Sequence, residues 1–227
     1  MTRKQVIEEL ADLICAVERP HPVRVAIDGV DAAGKTNLAE ELSTFIESCG
    51  RPVIRVSVDG FHNSRMVRYQ RGENSPEGYY LDSFDNDAIL QKVLIPLGPG
   101  GNRKYHLRVF DFKLDAPIHE PGREAPVDAI LLFDGVFLLR PELREYWDFS
   151  IFMDADFDIS VPRAVARDVA RSDEKLDWKT TLAKYNQRYV PGQQIYLAES
   201  NPKSLADVVV ENTILDKPIL IILENRE

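Results

Sequence analysis

The stretch Gly29–Thr36 reads GVDAAGKT, two glycines bracketing four residues and followed at once by a lysine and a threonine. This is the G-x-x-x-x-G-K-[ST] pattern, and the chemistry requires that spacing. The glycines let the backbone turn so that successive N–H groups face phosphate oxygens, and the helix that follows adds its positive end. Lys35 then reaches the β- and γ-phosphates of a nucleotide, and the Thr36 hydroxyl is a ligand for Mg²⁺. The residues expected to hold the phosphates are Gly29, Asp31, Ala32, Ala33, Gly34, Lys35, Thr36 and Asn37.

A phosphate loop alone does not separate a switch GTPase from a motor ATPase or a small-molecule kinase. Two later carboxylates help. Asp59 follows the run VSV and Asp134 follows ILLF, so each ends a predicted strand. In an open parallel sheet, ligands sit beyond the carboxyl ends of the strands, so both acids are expected near the phosphates. One can serve Mg²⁺ and the other can take a proton from an attacking hydroxyl. A base-reading N-K-x-D motif is absent from the sequence, which argues against a GTPase.

After Asp59 come His62, Arg65, Arg68, Arg71, Tyr69, Tyr79 and Tyr80. Such a set can stack a base or bind an acidic or phosphorylated acceptor. Arg68 and Arg71 read equally well as surface charges in water, whereas His62 and Arg65 are expected at the acceptor.

The elements that must position these residues follow from periodicity. Short apolar runs predict strands at Val23–Asp28, Val53–Asp59, Ala129–Asp134, Phe149–Asp154 and Asp207–Glu211, as in a sheet buried on both faces. Helical spacing predicts helices at Lys35–Ser48, Asp87–Leu94, Ile159–Ala170 and Trp178–Tyr189. Another is expected at the start, where Val6, Ile7, Leu10, Leu13, Ile14 and Val17 recur on one face. Alternating strands and helices imply a mostly parallel sheet with right-handed crossovers. The segment Lys104–Lys113, after the loop PLGPGGNRK, reads as an excursion or hairpin off the sheet.

The 227 residues suit one domain, with or without a small lid, and 44% hydrophobic content is enough for a real core. Lys plus Arg number 28 against 37 Asp plus Glu, a net charge of −9. That balance argues against a nucleic-acid binder or a membrane-surface protein. The two cysteines, Cys15 and Cys49, lack metal-ligand spacing, the start does not read as a signal peptide, and no apolar run is long enough to span a membrane. A reduced, cytoplasmic protein is expected.

With these residues in hand, the chain resembles the uridine kinase and phosphoribulokinase family of P-loop kinases from about Val23 to about Asn212. The carriers are IDGVDAAGKT, VSVDGFHNSRMVRYQRG, SPEGYYLDSFDNDAI, VFDF, LLFDGVFLL, RAVARDVAR and RYVPGQQIYLAESNPKSLADVVVEN. The resemblance implies ATP and Mg²⁺ as cofactors and Asp59 as general base close to the metal. It makes Asp134 the acid after the third strand. Asp59, His62, Arg65, Tyr79, Asp82 and Phe110 are the expected acceptor residues, and Thr36, Asp59 and Asp134 the expected metal residues.

The resemblance also places Arg163 and Arg167 in a lid, spanning about residues 158–192, that closes over the transferring phosphoryl group. Their spacing puts both on one helix face, with Arg171 a turn further on. The other reading is a solvated stripe balanced by Asp168, Asp173 and Glu174. Where uridine kinases carry Tyr-Asp-Phe, this chain has Phe110, Asp111 and Phe112. Leu114 or Asp115 stands where a pyrimidine-contacting His is found, and the lid's R-G-R becomes RSDEK.

The expectation is a single α/β domain with the P-loop NTPase fold, a three-layer sandwich with a mostly parallel five-stranded core sheet and a helical lid. Its reaction would be ATP- and Mg²⁺-dependent phosphoryl transfer to a hydroxyl of a small metabolite, with uridine or cytidine leading. The alternatives are a kinase for a sugar phosphate, pantothenate-like or vitamin-like alcohol, and a nucleotide-binding regulator with little kinase activity. The loop after Val210 is the expected place for adenine contacts. The sequence leaves the oligomeric state open, a homo-oligomer included.

Overall fold

The computed structural model describes residues 1–171, 176–215 and 217–223. The six strands of its main sheet are β1 (Val23–Gly29), β2 (Val53–Ser57), β3 (Ile130–Asp134), β4 (Phe149–Asp154), β5 (Val208–Glu211) and β6 (Ile219–Ile222). They lie in the order β6-β5-β4-β1-β3-β2. The first five are mutually parallel, as the alternating pattern predicts, and β6 runs antiparallel along the outer edge of β5. This sixth strand was not expected. It follows Pro218 and leaves Ile219 and Ile222 exposed, so its apolar run does not mark a doubly buried strand.

Strand parity distributes the core between two faces. On β1, Val25 and Ile27 join Leu38, Leu42 and Ile46 of helix α2 (Lys35–Ser48) and Leu10 and Ile14 of helix α1 (Arg3–Cys15). Ala26 faces the other way, into a cluster with Phe61, Phe133, Phe137, Phe152 and Tyr196. Every residue of β1 and β3 is buried, so these central strands form a rigid floor beneath the phosphate loop.

The remaining long elements build the opposite wall and a cover. Helix α3 (Pro76–Asp82) packs against the C-terminal helix of the cover, and Arg65–Arg68 forms a single helical turn before it. Helix α4 (Phe157–Arg171) and helix α5 (Trp178–Lys184) pack together, and α5 runs through a wide π-turn at Tyr185–Tyr189 into helix α6 (Val190–Ser200). The helix predicted to stop at Tyr189 therefore continues. Pro191 lacks an N–H, and the wider turn ahead of it accommodates the missing donor. Residues 172–175, which include Asp173 and Glu174 and most of the RSDEK segment, lie outside the described residues.

The excursion is a pair of small hairpin ladders. Lys104–Tyr105 pairs with Arg123–Glu124, and Phe110–Asp111 pairs with Ala116–Pro117. The Val109 N–H donates to the Gly60 carbonyl at 2.9 Å, which fixes this hairpin beside the Asp59 turn.

Candidate active site

Register brings the two carboxylates to one edge of the sheet. Ser57 and Ile27 both lie level with Asp134, so β2, β3 and β1 end together. The strand predicted to run to Asp59 stops at Ser57, and Asp59 sits in a short 3-10 turn, Val58–Phe61. That turn lifts Asp59 to the surface, whereas Asp134 stays buried at 4% exposure.

The phosphate loop takes its shape from backbone demands. Gly29 has φ +145°, and a Cβ there would lie 2.2 Å from the Met153 carbonyl oxygen of the adjacent strand. No side chain fits. Gly34, at φ 99°, caps α2 without any side-chain hydrogen bond, so the first N–H groups of that helix remain available to an anion. Asn212, fully buried just after β5, donates through Nδ2 to the Ala33 carbonyl at 2.7 Å and clamps the loop from behind.

Within this cradle the Lys35 ammonium donates to the Gly29 and Val30 carbonyls at 3.0 and 2.7 Å. Burial lowers its pKa, while Asp31, Asp28 and Asp134 act to keep it charged. The Thr36 hydroxyl donates to Asp134 Oδ2 at 2.8 Å. Burial raises the Asp134 pKa, against the Thr36 hydrogen bond and the charges of Arg55 and Lys35. Ala32 adopts a left-handed φ of 55° at the tip of the loop, and Thr36 and Asn37 are exposed.

Asp31 is already engaged. Its N–H donates to Gln193 Oε1 at 2.6 Å, and its carboxylate accepts from Gln193 Nε2 and from the Tyr79 hydroxyl, both at 3.2 Å. Burial raises its pKa, and Lys35 and Arg167 pull it down. Directly below, the buried Asp28 accepts hydrogen bonds from the Gly29 N–H, the Leu139 N–H and the Tyr196 hydroxyl.

The two lid arginines have different surroundings. Arg167 binds Asp168 at 2.9 Å and the Tyr185 hydroxyl at 3.3 Å, and its charge is felt at Asp31 and Lys35. Arg163 instead donates to the Asn212 and Thr213 carbonyls at 3.3 and 2.8 Å. It supports the loop expected to contact adenine. Arg171 is exposed at the end of α4.

On the acceptor side, His62 is wedged between Phe84 and Phe112, with ring centroids 4.6 and 4.8 Å away, and its Nδ1 lies 3.0 Å from the Asp59 carbonyl. Burial lowers its pKa. Phe110 is half-buried in the hairpin. Asp115 binds the Arg65 N–H at 2.8 Å and Arg68 Nη2 at 3.1 Å, so the hairpin grips the segment after Asp59. Asp82 is buried and paired with Arg71 at 2.8 Å. Arg68 is buried as well, which removes the surface-charge alternative for it.

Several residues in this arrangement had no predicted role: Asn212, Gln193, Arg55, Tyr196 and Arg188. Gln193, Tyr196 and Arg188 lie in RYVPGQQIYLAESN, a segment that carries the resemblance but has no phosphate-binding spacing of its own. Among the described residues no cluster of three or more His, Cys, Asp or Glu forms a metal cage. The Thr36–Asp134 pair nevertheless fits Mg²⁺, which prefers oxygen ligands and usually takes one or two from protein, the others from phosphates and water.

The strand order and the loop between β1 and α2 define a P-loop α/β fold, with Asp59 and Asp134 gathered at the carboxyl ends of its strands. Residues 25–213 match the protein-family model described as the Phosphoribulokinase / Uridine kinase family, and the chain belongs to that family. It is 26% identical over 195 residues to a uridine kinase of Halalkalibacterium halodurans, covering 83% of this chain and 85% of that one. Uridine-cytidine kinase A of Dictyostelium discoideum is 26% identical over 193 residues, and the match spans 84% of this chain but 36% of that longer protein. Among solved structures, a possible uridine kinase from Bacillus stearothermophilus superposes with a TM-score of 0.71 at 23% identity, covering 91% of this chain and 97% of that one. No helix among the described residues is long and apolar enough to cross a membrane.

Proposed function

We propose that this protein transfers the γ-phosphoryl group of ATP, with Mg²⁺, to a hydroxyl of a nucleoside, uridine or cytidine being the leading acceptors. The observation that carries the reading is the position of Asp59. It is exposed on a turn level with the ends of β1 and β3, and its charge is felt at both Asp31 and Asp134. A carboxylate there can take a proton from a hydroxyl aligned with the γ-phosphate.

The other groups divide the remaining work. The α2 N-terminus and Lys35 hold the triphosphate and neutralise its charge. Thr36 and Asp134 would hold Mg²⁺, which when bound draws charge from the phosphate oxygens. Arg167 adds a cation from the lid side, and Arg163 braces the Asn212–Thr213 loop beside the expected adenine site. His62, with Phe84 and Phe112, forms an apolar and aromatic wall for the acceptor, and Phe110 lies in the same hairpin as Phe112. Such walls bind a flat ring by stacking. The acidic net charge suits a cytoplasmic small-molecule enzyme without a nucleic-acid partner.

One feature favours a second acceptor class. Phe112 stands against His62, and Asp115 is consumed by Arg65 and Arg68, so this hairpin offers few polar groups to a pyrimidine edge. A site that lacks such hydrogen bonds discriminates less sharply among acceptors. The test is ADP release by purified protein with ATP and Mg²⁺ against nucleosides, pentose phosphates and pantothenate. A saturable response to uridine or cytidine is expected. A response confined to a phosphorylated or carboxylate-bearing alcohol would replace the acceptor, and turnover indifferent to every acceptor would favour a regulator.

A further inference from the structure

Arg55 lies next to both residues assigned to the metal, although nothing in the phosphate-loop motif calls for a cation there. Its partner in β3 is Leu132, so Asp134, two residues on, faces the same side of the sheet as Arg55. That side is covered by α2, whose first turn carries Thr36. The Arg55 Nη2 is 3.6 Å from Asp134 Oδ1 and 3.4 Å from the Thr36 carbonyl, and Nη1 donates to Glu40 at 2.8 Å. Nε is buried without a partner. The guanidinium therefore neutralises the free lobe of Asp134, while the other lobe accepts from the Thr36 hydroxyl.

We propose that Arg55 sets the order of ligand entry, keeping the Thr36–Asp134 pair too weak to hold a divalent cation until nucleotide phosphates arrive with it. The inference rests on the reading of that pair as the metal side. Charge decides the direction, since at 3.6 Å Arg55 is beyond hydrogen-bonding distance of Asp134 and contributes little to aiming it. The Thr36 hydroxyl already does the aiming. A unit charge a few ångströms from a divalent ion is worth about a factor of ten or more in affinity, even with near-aqueous screening. Glu40 offsets little of this, because its side chain is 82% exposed and water screens it. A bound triphosphate brings several negative charges of its own, enough to outweigh one arginine.

The test measures Mn²⁺ binding directly, by the loss of the free-ion paramagnetic resonance signal, with and without ADP. Wild-type protein is expected to take Mn²⁺ tightly only with ADP. Arg55→Gln and Arg55→Met should each raise the ADP-free affinity about tenfold or more, with a smaller change when ADP is present, and Arg55→Lys should behave as wild type. Adding Asp134→Asn to Arg55→Gln should abolish the gain. Unchanged ADP-free affinity in both folded Arg55 variants would overturn the proposal, as would a gain that survives Asp134→Asn. Wild-type protein that takes up no more Mn²⁺ with ADP than ADP alone binds would instead overturn the metal-side reading beneath it.

Discussion

The Tyr79 hydroxyl donates to Asp31 Oδ2 at 3.2 Å, joining helix α3 directly to the phosphate loop. Gln193 of α6 binds the same carboxylate, so one loop residue gathers an acceptor-side helix and a lid-side helix. Tyr79→Phe keeps the buried ring and deletes this bond alone. It should cost about 1 kcal/mol of stability and weaken nucleotide binding a few-fold. Gln193→Leu should do more, because it also strips the acceptor from the Asp31 N–H. Urea denaturation and nucleotide titration of the two variants measure both effects, and equal behaviour would contradict this division.

Lys35 is buried among the phosphate-loop carbonyls, and its ammonium is the central positive group of the cradle. Lys35→Ala should lower turnover by about 10²–10³-fold or more with little change in melting temperature. Acceptor phosphorylation near the wild-type rate would remove the loop from the mechanism.

The two carboxylates should separate by what rescues them. Asp59→Asn preserves shape but loses the proton acceptor, so phosphorylation should collapse while nucleotide still binds. Asp134→Asn should weaken the response to Mg²⁺, and excess Mg²⁺ or Mn²⁺ should restore part of the rate. Full activity in Asp59→Asn would move the general base elsewhere.

Arg163 and Arg167 should also part company, despite sharing a helix face. Arg167→Ala should reduce kcat, because its charge acts toward the loop carrying Lys35. Arg163→Ala should instead raise the KM for ATP, because it frees the Asn212 and Thr213 carbonyls. Initial-rate kinetics with saturating acceptor distinguish the two, and a kcat effect for Arg163 alone would reverse the assignment.

The phosphate loop and the five parallel strands were legible because they rest on local rules, glycine spacing and apolar runs of fixed length. Asp59 and Asp134 could be named from sequence because a strand end in a parallel sheet is itself a location. What escaped was partnership across long separations. Nothing near Gln193 announces Asp31, 162 residues away, and nothing near Asn212 announces the Ala33 carbonyl. The different surroundings of Arg163 and Arg167 escaped for a related reason. Helical spacing gives a shared face, but the packing of α4 against the β5 end decides which arginine reaches which neighbour. Arg68 stayed open between two readings because its burial depends on Asp115 and on Arg188, both distant in sequence.

Arg188 has a consequence for how a cover of this kind could open. Its guanidinium donates to the carbonyls of Arg68, Gly72, Glu73 and Ser75, all within 3.3 Å, and lies over the Tyr69 ring at 4.9 Å. Swinging this part of the cover away would strip a buried cation of all four acceptors at once, a costly event on the timescale of a catalytic cycle. The π-turn is thus welded to the acceptor-side loop, so a cover that opened would have to hinge ahead of Tyr185. A cover hinged there would release product without dismantling the acceptor side, and the next acceptor would meet a wall already in place.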